Sequence, residues 1–205
     1  MSTELSAPRD EQSSPVAGDE FVGARFWIRA CGRIIDWATH YATWFVTSFI
    51  FGLGLGIYAG VAHVAVRPLI LAASSTRWYD YVASALGLLS CHTVMEWMCG
   101  ATIGKRILGL VVTSTDGKAI SLRAALGRSL AFYIDGLIFG LPAYDSMKPP
   151  LQQRLGDKWA DTLVLRRTTL TSQRFVSTHS FAFALFVGLL SDGACYLLAA
   201  CIKIS

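Results

Sequence analysis

Charge is what this sequence has least of. Asp, Glu, Lys and Arg make up 16% of its 205 residues against 53% hydrophobic residues, where a soluble domain carries roughly 25% charged. Not one charged residue separates Asp36 from Arg67. Cysteine is also sparse and unpaired in pattern: Cys31, Cys91, Cys99, Cys195 and Cys201 are odd in number and contain no Cys-x-x-Cys motif. That argues against a zinc site or a disulfide network, and the five read as small apolar packing residues. No Ser-His-Asp, His-Glu-x-x-His or paired-carboxylate spacing occurs, so no cofactor or metal is expected and the chain is not expected to be an enzyme. A basic patch interleaved with aromatics is missing too, which argues against a nucleic-acid partner. The first 22 residues lack a basic stretch followed by an apolar one. They carry five acidic groups against one arginine, with Ser, Pro and Gly between, which predicts a disordered acidic tail over residues 1–22 rather than a cleaved signal.

What is present instead is a set of uncharged runs long enough to cross about 30 Å of hydrocarbon. Trp37 to Val66 is uninterrupted, Val82 to Ile103 is broken only by Glu96, and Phe181 to Ile202 only by Asp192. A fourth run, Ser129 to Met147, is apolar in bulk but holds Asp135, Pro142 and Asp145. The first run is about 45 Å long as a helix, so a tilt or a break is expected in it. Gly52, Gly56 and Gly60 recur at every fourth position there, a small-xxx-small pattern that lets another helix come close. A loosened, glycine-rich segment is the alternative.

Arg29, Arg33, Asp36 and His40 fall within about 60° of one another on a helix, and Thr43 and Thr47 continue the stripe. Arg33 and Asp36, three positions apart, are placed to neutralise each other where isolated charge is costly. The stripe is read either as a gate or ion-binding carboxylate with its counter-charges, or as a topology anchor with a structural ion pair. Glu96 has His92 one turn before it, which reads as a proton relay or as a carboxylate snorkelling at a helix end. Asp135 and Asp192 sit deeper in their segments, as titrating sites or as satisfied hydrogen-bonding groups.

From Gly100 to Arg128 the composition turns basic and β-prone. Leu110 to Thr113 predicts a strand, Asp116-Gly117 a hairpin turn, and Thr162 to Leu165 a second strand able to pair with the first. Residues 104–128 carry five Lys or Arg and residues 148–174 six, while the loop after the first run has only Arg67 and Arg77. By the positive-inside rule both basic segments and the N-terminus are cytoplasmic, in a multi-pass protein of the cell membrane. Ser129 to Met147 is then re-entrant or interfacial rather than a single crossing, with Gly140 and Pro142 breaking it. The tail's charge is minus four, leaving plus eight on the remainder, which suits anionic headgroups. The expected fold is an all-α polytopic membrane protein, three full spans plus a re-entrant or fourth span, with a small cytoplasmic β-hairpin.

"FWIRACGRIIDW" resembles the opening of the RDD family of integral membrane proteins, with Arg29 and Asp36 at the places of its arginine and first aspartate. "GATIGKRILGLVV" followed by "DGK" resembles its internal signature, and "QQRLGDKWADTLVLRR" its closing segment, in which Asp157 stands as the second aspartate, Gly156 at the usual histidine place and Asp161 at a place usually small. The likeness runs from about Ala24 to Arg167, giving a membrane domain over 23–167 followed by a linker and an additional C-terminal helix over 168–205. The resemblance implies transport, with cation or proton exchange suggested for such proteins. Transport of a small ion or solute through Arg29, Arg33, Asp36, His40, His92, Glu96, Asp135, Asp157 and Asp192 is the first expectation. A membrane scaffold whose basic segments bind a partner is the second, and a membrane enzyme the third. Three spans make a thin wall for a pathway, so lipid and a homo-oligomer or membrane-protein partner are expected, with Gly52, Gly56 and Gly60 at the contact.

Overall fold

The computed structural model describes residues 21–135, 141–170, 177 and 179–204. Three helices are long and apolar enough to cross a membrane: α1 (Phe26–Ala62), α3 (Trp78–Cys99) and α8 (Phe181–Ile204). Between α1 and α3 lies α2 (Val66–Ser74), and between α3 and α8 come α4 (Ile103–Ile107), β1 (Leu110–Ser114), α5 (Leu122–Asp135), α6 (Leu141–Ser146), α7 (Leu155–Trp159) and β2 (Thr162–Arg166). The 37 residues of α1 form one unbroken helix, about 56 Å long, so its excess length is not absorbed by a break. Its first turns instead extend past the end of α3, where Asp36 meets the backbone of Gly104. The helix stops at His63, whose left-handed backbone (φ 54°) turns its N–H back to Ala59.

The two strands pair antiparallel, with Val112 opposite Val164. They are not a hairpin, because α5, α6 and α7 lie between them in the chain. The Asp116-Gly117 turn does reverse the backbone, with Ser114 N–H donating to Lys118 O at 2.9 Å, but the chain then runs on into α5 instead of a partner strand. Both faces of this small sheet are covered, which is why the strands read as continuous apolar runs. Leu110, Val112 and Val164 pack with Ala24, Ile120 and Ala125 on one side, and Val111, Leu163 and Leu165 with Phe21 and Leu151 on the other. Phe21 therefore belongs to the fold and not to the expected tail, whose residues 1–20 lie outside the described residues.

Of the Ser129 to Met147 run, the described residues belong to the end of α5 and to α6. Along α5, Arg128 meets Glu96 of α3 and the Tyr133 hydroxyl donates to Ala85 O at 2.6 Å. From Glu96 to Ala85 is about 16 Å along α3. α6 comes back to the start of α1, where Tyr144 packs edge-on against Phe26 at 5.4 Å, and Lys158 of α7 donates to Ser146 O at 3.0 Å. Pro142 is the second residue of α6, where its missing N–H costs little. Gly140, expected to share in the break, lies outside the described residues.

Candidate functional site

Asp192 lies halfway along α8 and is 1% exposed. Its carboxylate accepts from His40 Nδ1 of α1 at 2.8 and 2.9 Å and from the Trp44 indole N–H at 3.0 Å. His40 Nε2 lies 2.9 Å from Ser84 Oγ of α3. A hydroxyl both donates and accepts, so His40 keeps a partner at each ring nitrogen whether or not it carries a second proton. The space is made by a glycine. A Cβ on Gly87 of α3 would stand 2.3 Å from Asp192 Oδ1, so only a residue without a side chain lets α3 pass over the carboxylate.

One turn nearer the sheet, Asp36 accepts from the Thr102 hydroxyl and from Gly104 N–H, each at 2.8 Å. α1 and α4 cross here with backbones touching, since a Cβ on Gly104 would lie 1.9 Å from Gly32 O. His92 Nε2 is 3.8 Å from Asp36 Oδ2. Its Nδ1 is met by the Arg33 guanidinium, a group with donors only, which leaves the ring proton on Nε2. Asp36, His40, His92 and Asp192 all border one cavity of about 10 Å³, close to the volume one water requires with several polar partners.

Between the bundle and the sheet lies a dense ionic cluster. Asp157 of α7 pairs with Arg29 of α1 and with Arg128 of α5. Arg128 also donates to Glu96 at 3.0 Å, and Glu96 pairs with Lys105 of α4. Arg154 stands 3.8 Å from Asp157 and 3.9 Å from Asp135. Burial alone would raise the Asp157 carboxyl, but Arg128, Arg29 and Arg154 hold it well below the usual carboxylate range. Burial pulls the Lys105 ammonium down to about 8 against the opposing attraction of Glu96. These charges neutralise one another across α1, α3, α4, α5 and α7.

A family model described as RDD family matches residues 23–161, more than half of the chain, and that stretch carries the Arg29–Asp157 pair and the Asp36 anchor. The chain belongs to the RDD family. It is 30% identical over 125 residues, 57% of this chain and 80% of the other, to the uncharacterized protein YxaI of Bacillus subtilis (strain 168). No solved structure matches it. With its apolar helices this RDD protein is a membrane protein. His40 lies inside the matched segment, whereas its partner Asp192 is supplied by α8, beyond it.

The sequence-level stripe of this RDD protein divides in two. Arg29 joins the ionic cluster, while Asp36 and His40 border the small cavity. Arg33 and Asp36 attract each other but form no direct ion pair, because Asp36 is taken by Thr102 and Gly104 while Arg33 turns to His92 and stacks 3.6 Å over the Phe132 ring. Glu96 does not snorkel, and among the described residues no hydrogen bond joins it directly to His92. It is 4% exposed and held by Lys105 and Arg128. Asp135 is buried at the end of α5, beside Arg154. A Cβ on Gly56 or Gly60, like one on Gly52, would enter open space. Sequence reasoning missed Lys105 and Arg128, counted as exposed topology charges, and also Trp44, Ser84, Thr102 and Arg154. Arg128 had a signal: Ala125, Arg128, Ala131 and Asp135 share one helical face, and small residues around an arginine mark a close neighbour.

Proposed function

We propose that this RDD protein is a transporter that moves a small cationic species across the membrane, using the buried His40–Asp192 pair as the polar group of its pathway. The observation that carries this reading is the position of that pair. It is buried between three helices of crossing length, with a wide groove behind Trp44 and Ser84 on one side and the small cavity toward His92 and Asp36 on the other. Polar groups that deep are costly and mark ion paths or proton relays. A water in the cavity would link His40 and Asp192 to His92 and Asp36. In this reading α1, α3 and α8 cross the membrane, the sheet and the N-terminus are cytoplasmic, and α5 with α6 forms a re-entrant element. The outward stripe Leu122, Leu126, Leu130 and Ile134 of α5 suits lipid.

The scaffold reading draws on a different observation, the mutual pairing of Arg29, Asp157, Arg128, Glu96 and Lys105, which suits a structural staple rather than a pathway. We assign that cluster the staple role and keep transport for the His40–Asp192 level. Flux into proteoliposomes under Na⁺, K⁺ and H⁺ gradients tests the assignment. Wild-type protein is expected to pass at least one of them, and Asp192→Asn is expected to lose flux while still melting cooperatively. No flux from wild type under any gradient, with or without an organic co-solute, would leave the scaffold role.

A further inference from the structure

We infer that the groove beside the His40–Asp192 pair is a binding site for a small organic ammonium ion, a reading that rests on the transport proposal only in naming its solute. The groove holds about 570 Å³ between α1, α2, α3 and α8, which is the size of a small-molecule site and far more than a bare ion occupies. Its inner corner is aromatic: Trp44 and Tyr196 meet edge to face, centroids 5.0 Å apart at 75°. Phe51, Tyr41 and Tyr81 also line it, the two tyrosines largely exposed. Ring faces attract a cation within about 6 Å.

The charge beneath that corner has the right sign. The Trp44 indole N–H donates to the Asp192 carboxylate, so the ring's edge is anchored on a buried carboxylate and its faces are left for a ligand. The groove's own carboxylate and ammonium cancel: Asp80 and Lys203 pair at 2.7 Å, and Lys203 also donates to Ala73 O at 3.2 Å. Lys203 is thus tied down and a poor receptor for an anion. A hard metal ion takes six or more oxygens at close range, whereas these walls present rings and scattered hydroxyls. Bulk, softness and a single positive charge together describe an alkylammonium group.

Purified protein in phosphatidylglycerol nanodiscs is titrated with radiolabelled tetramethylammonium by equilibrium dialysis, with NaCl and KCl as competitors at constant ionic strength. Saturable one-site binding is expected, little displaced by Na⁺ or K⁺. Tyr196→Leu and Trp44→Leu should each weaken it roughly tenfold, while Tyr196→Phe, which keeps the ring, should retain it. Each variant is first shown to melt cooperatively, so that Tyr196→Phe against Tyr196→Leu decides the matter even if Trp44→Leu does not fold. No saturable binding by wild type, or equal binding by both Tyr196 variants, overturns the site. Phosphatidylcholine carries the same trimethylammonium group, so weaker binding in phosphatidylcholine nanodiscs assigns the site to a lipid headgroup, and unchanged binding assigns it to a free solute. Binding needs no gradient: protein that binds tetramethylammonium but transports nothing fails the transport reading alone. Protein that moves Na⁺ or K⁺ without binding tetramethylammonium fails this inference alone.

Discussion

Arg29 on the first helix and Asp157 on the short helix before β2, 128 positions apart in sequence, form a direct ion pair at 6% and 0% side-chain exposure. A pair this dry is weak evidence of net stabilisation, because both ions were taken out of water to make it. Breaking it is another matter. Asp157 is shared with Arg128, which is itself shared with Glu96, so loss of the Asp157 carboxylate leaves Arg29 without its ion pair and Arg128 with Glu96 alone.

Asp157→Asn is therefore expected to cost about 3 to 5 kcal/mol, read as a large fall in detergent melting temperature. The pH dependence comes from the depressed Asp157 carboxyl. Its folded value lies below the unfolded one near 4, so its contribution is complete above about pH 4 and drains away as pH falls toward the folded value. Wild-type melting should drop progressively below about pH 4, and Asp157→Asn should show a flatter acid limb. An acid limb of the same steepness in both proteins would mean that other carboxylates carry it.

Much of this fold was legible in the chain because hydrocarbon is an unforgiving solvent. Uncharged length alone located α1, α3 and α8, and β-branched runs located both strands within a residue or so. Partner choice was not legible. Asp36 has Arg33 one turn away on its own helix, yet its partners come from α4, at Thr102 and Gly104. Local spacing cannot see a neighbouring helix whose backbone arrives through Gly32 and Gly104. Lys105 and Arg128 were misjudged for a related reason. Counting basic residues per loop gives topology, and the same count hides which of them turn inward to meet Glu96.

Glycine substitutions should separate space that is used from space that is open. Gly87→Ala places a methyl against Asp192 Oδ1 and is expected to cost about 1 to 3 kcal/mol through overpacking. Gly56→Ala meets nothing within 4 Å and should be neutral or stabilising in the monomer by about 0.5 to 1 kcal/mol. Gly56→Leu should shift the purified protein toward monomer if copies associate through this face. Melting curves and light scattering read the two effects separately, and equal melting of Gly87→Ala and wild type would contradict the close passage of α3 over Asp192.

The strand pairing carries a topological expectation. Lys118, just past the turn after β1, and Arg167, just past β2, are both exposed on the sheet side of the bundle, while Arg67 lies at the far end of α1. In a cysteine-free background, single cysteines at Lys118 and Arg167 should react with an impermeant thiol reagent only after cells are opened, and one at Arg67 should react at once. Labelling of Lys118 but not Arg167 would contradict the re-entrant path of α5 and α6. Labelling of both, with Arg67 protected, would invert the membrane orientation.

The last expectation concerns Asp36, where sequence and structure give opposite forecasts. If Asp36 existed to neutralise Arg33, replacing both charges together would restore stability. The structure instead makes Asp36 a double acceptor, fed by the Thr102 hydroxyl and the Gly104 N–H at 2.8 Å each. Asparagine keeps one acceptor oxygen, which Gly104 N–H claims, and turns its amide donor on Thr102, whose hydroxyl proton then loses its acceptor, so Asp36→Asn should cost about 1 to 3 kcal/mol for that group left unsatisfied. Thr102 can rotate its hydroxyl to accept; Gly104 N–H cannot, and the tight Gly32–Gly104 crossing leaves no room to move away. Arg33→Gln should be milder by itself, since its guanidinium lies against His92 and the Phe132 ring and not on a carboxylate. Because His92 lies against both groups, the two costs in Arg33→Gln with Asp36→Asn should fall short of their sum by roughly 0.5 to 1 kcal/mol without cancelling. A double mutant that melts near wild type would show that the two charges do answer each other. Thr102→Val distinguishes the cases further: it removes one donor to Asp36, and combined with Asp36→Asn it should cost less than the sum of the two single changes, because both act on the same hydrogen bond.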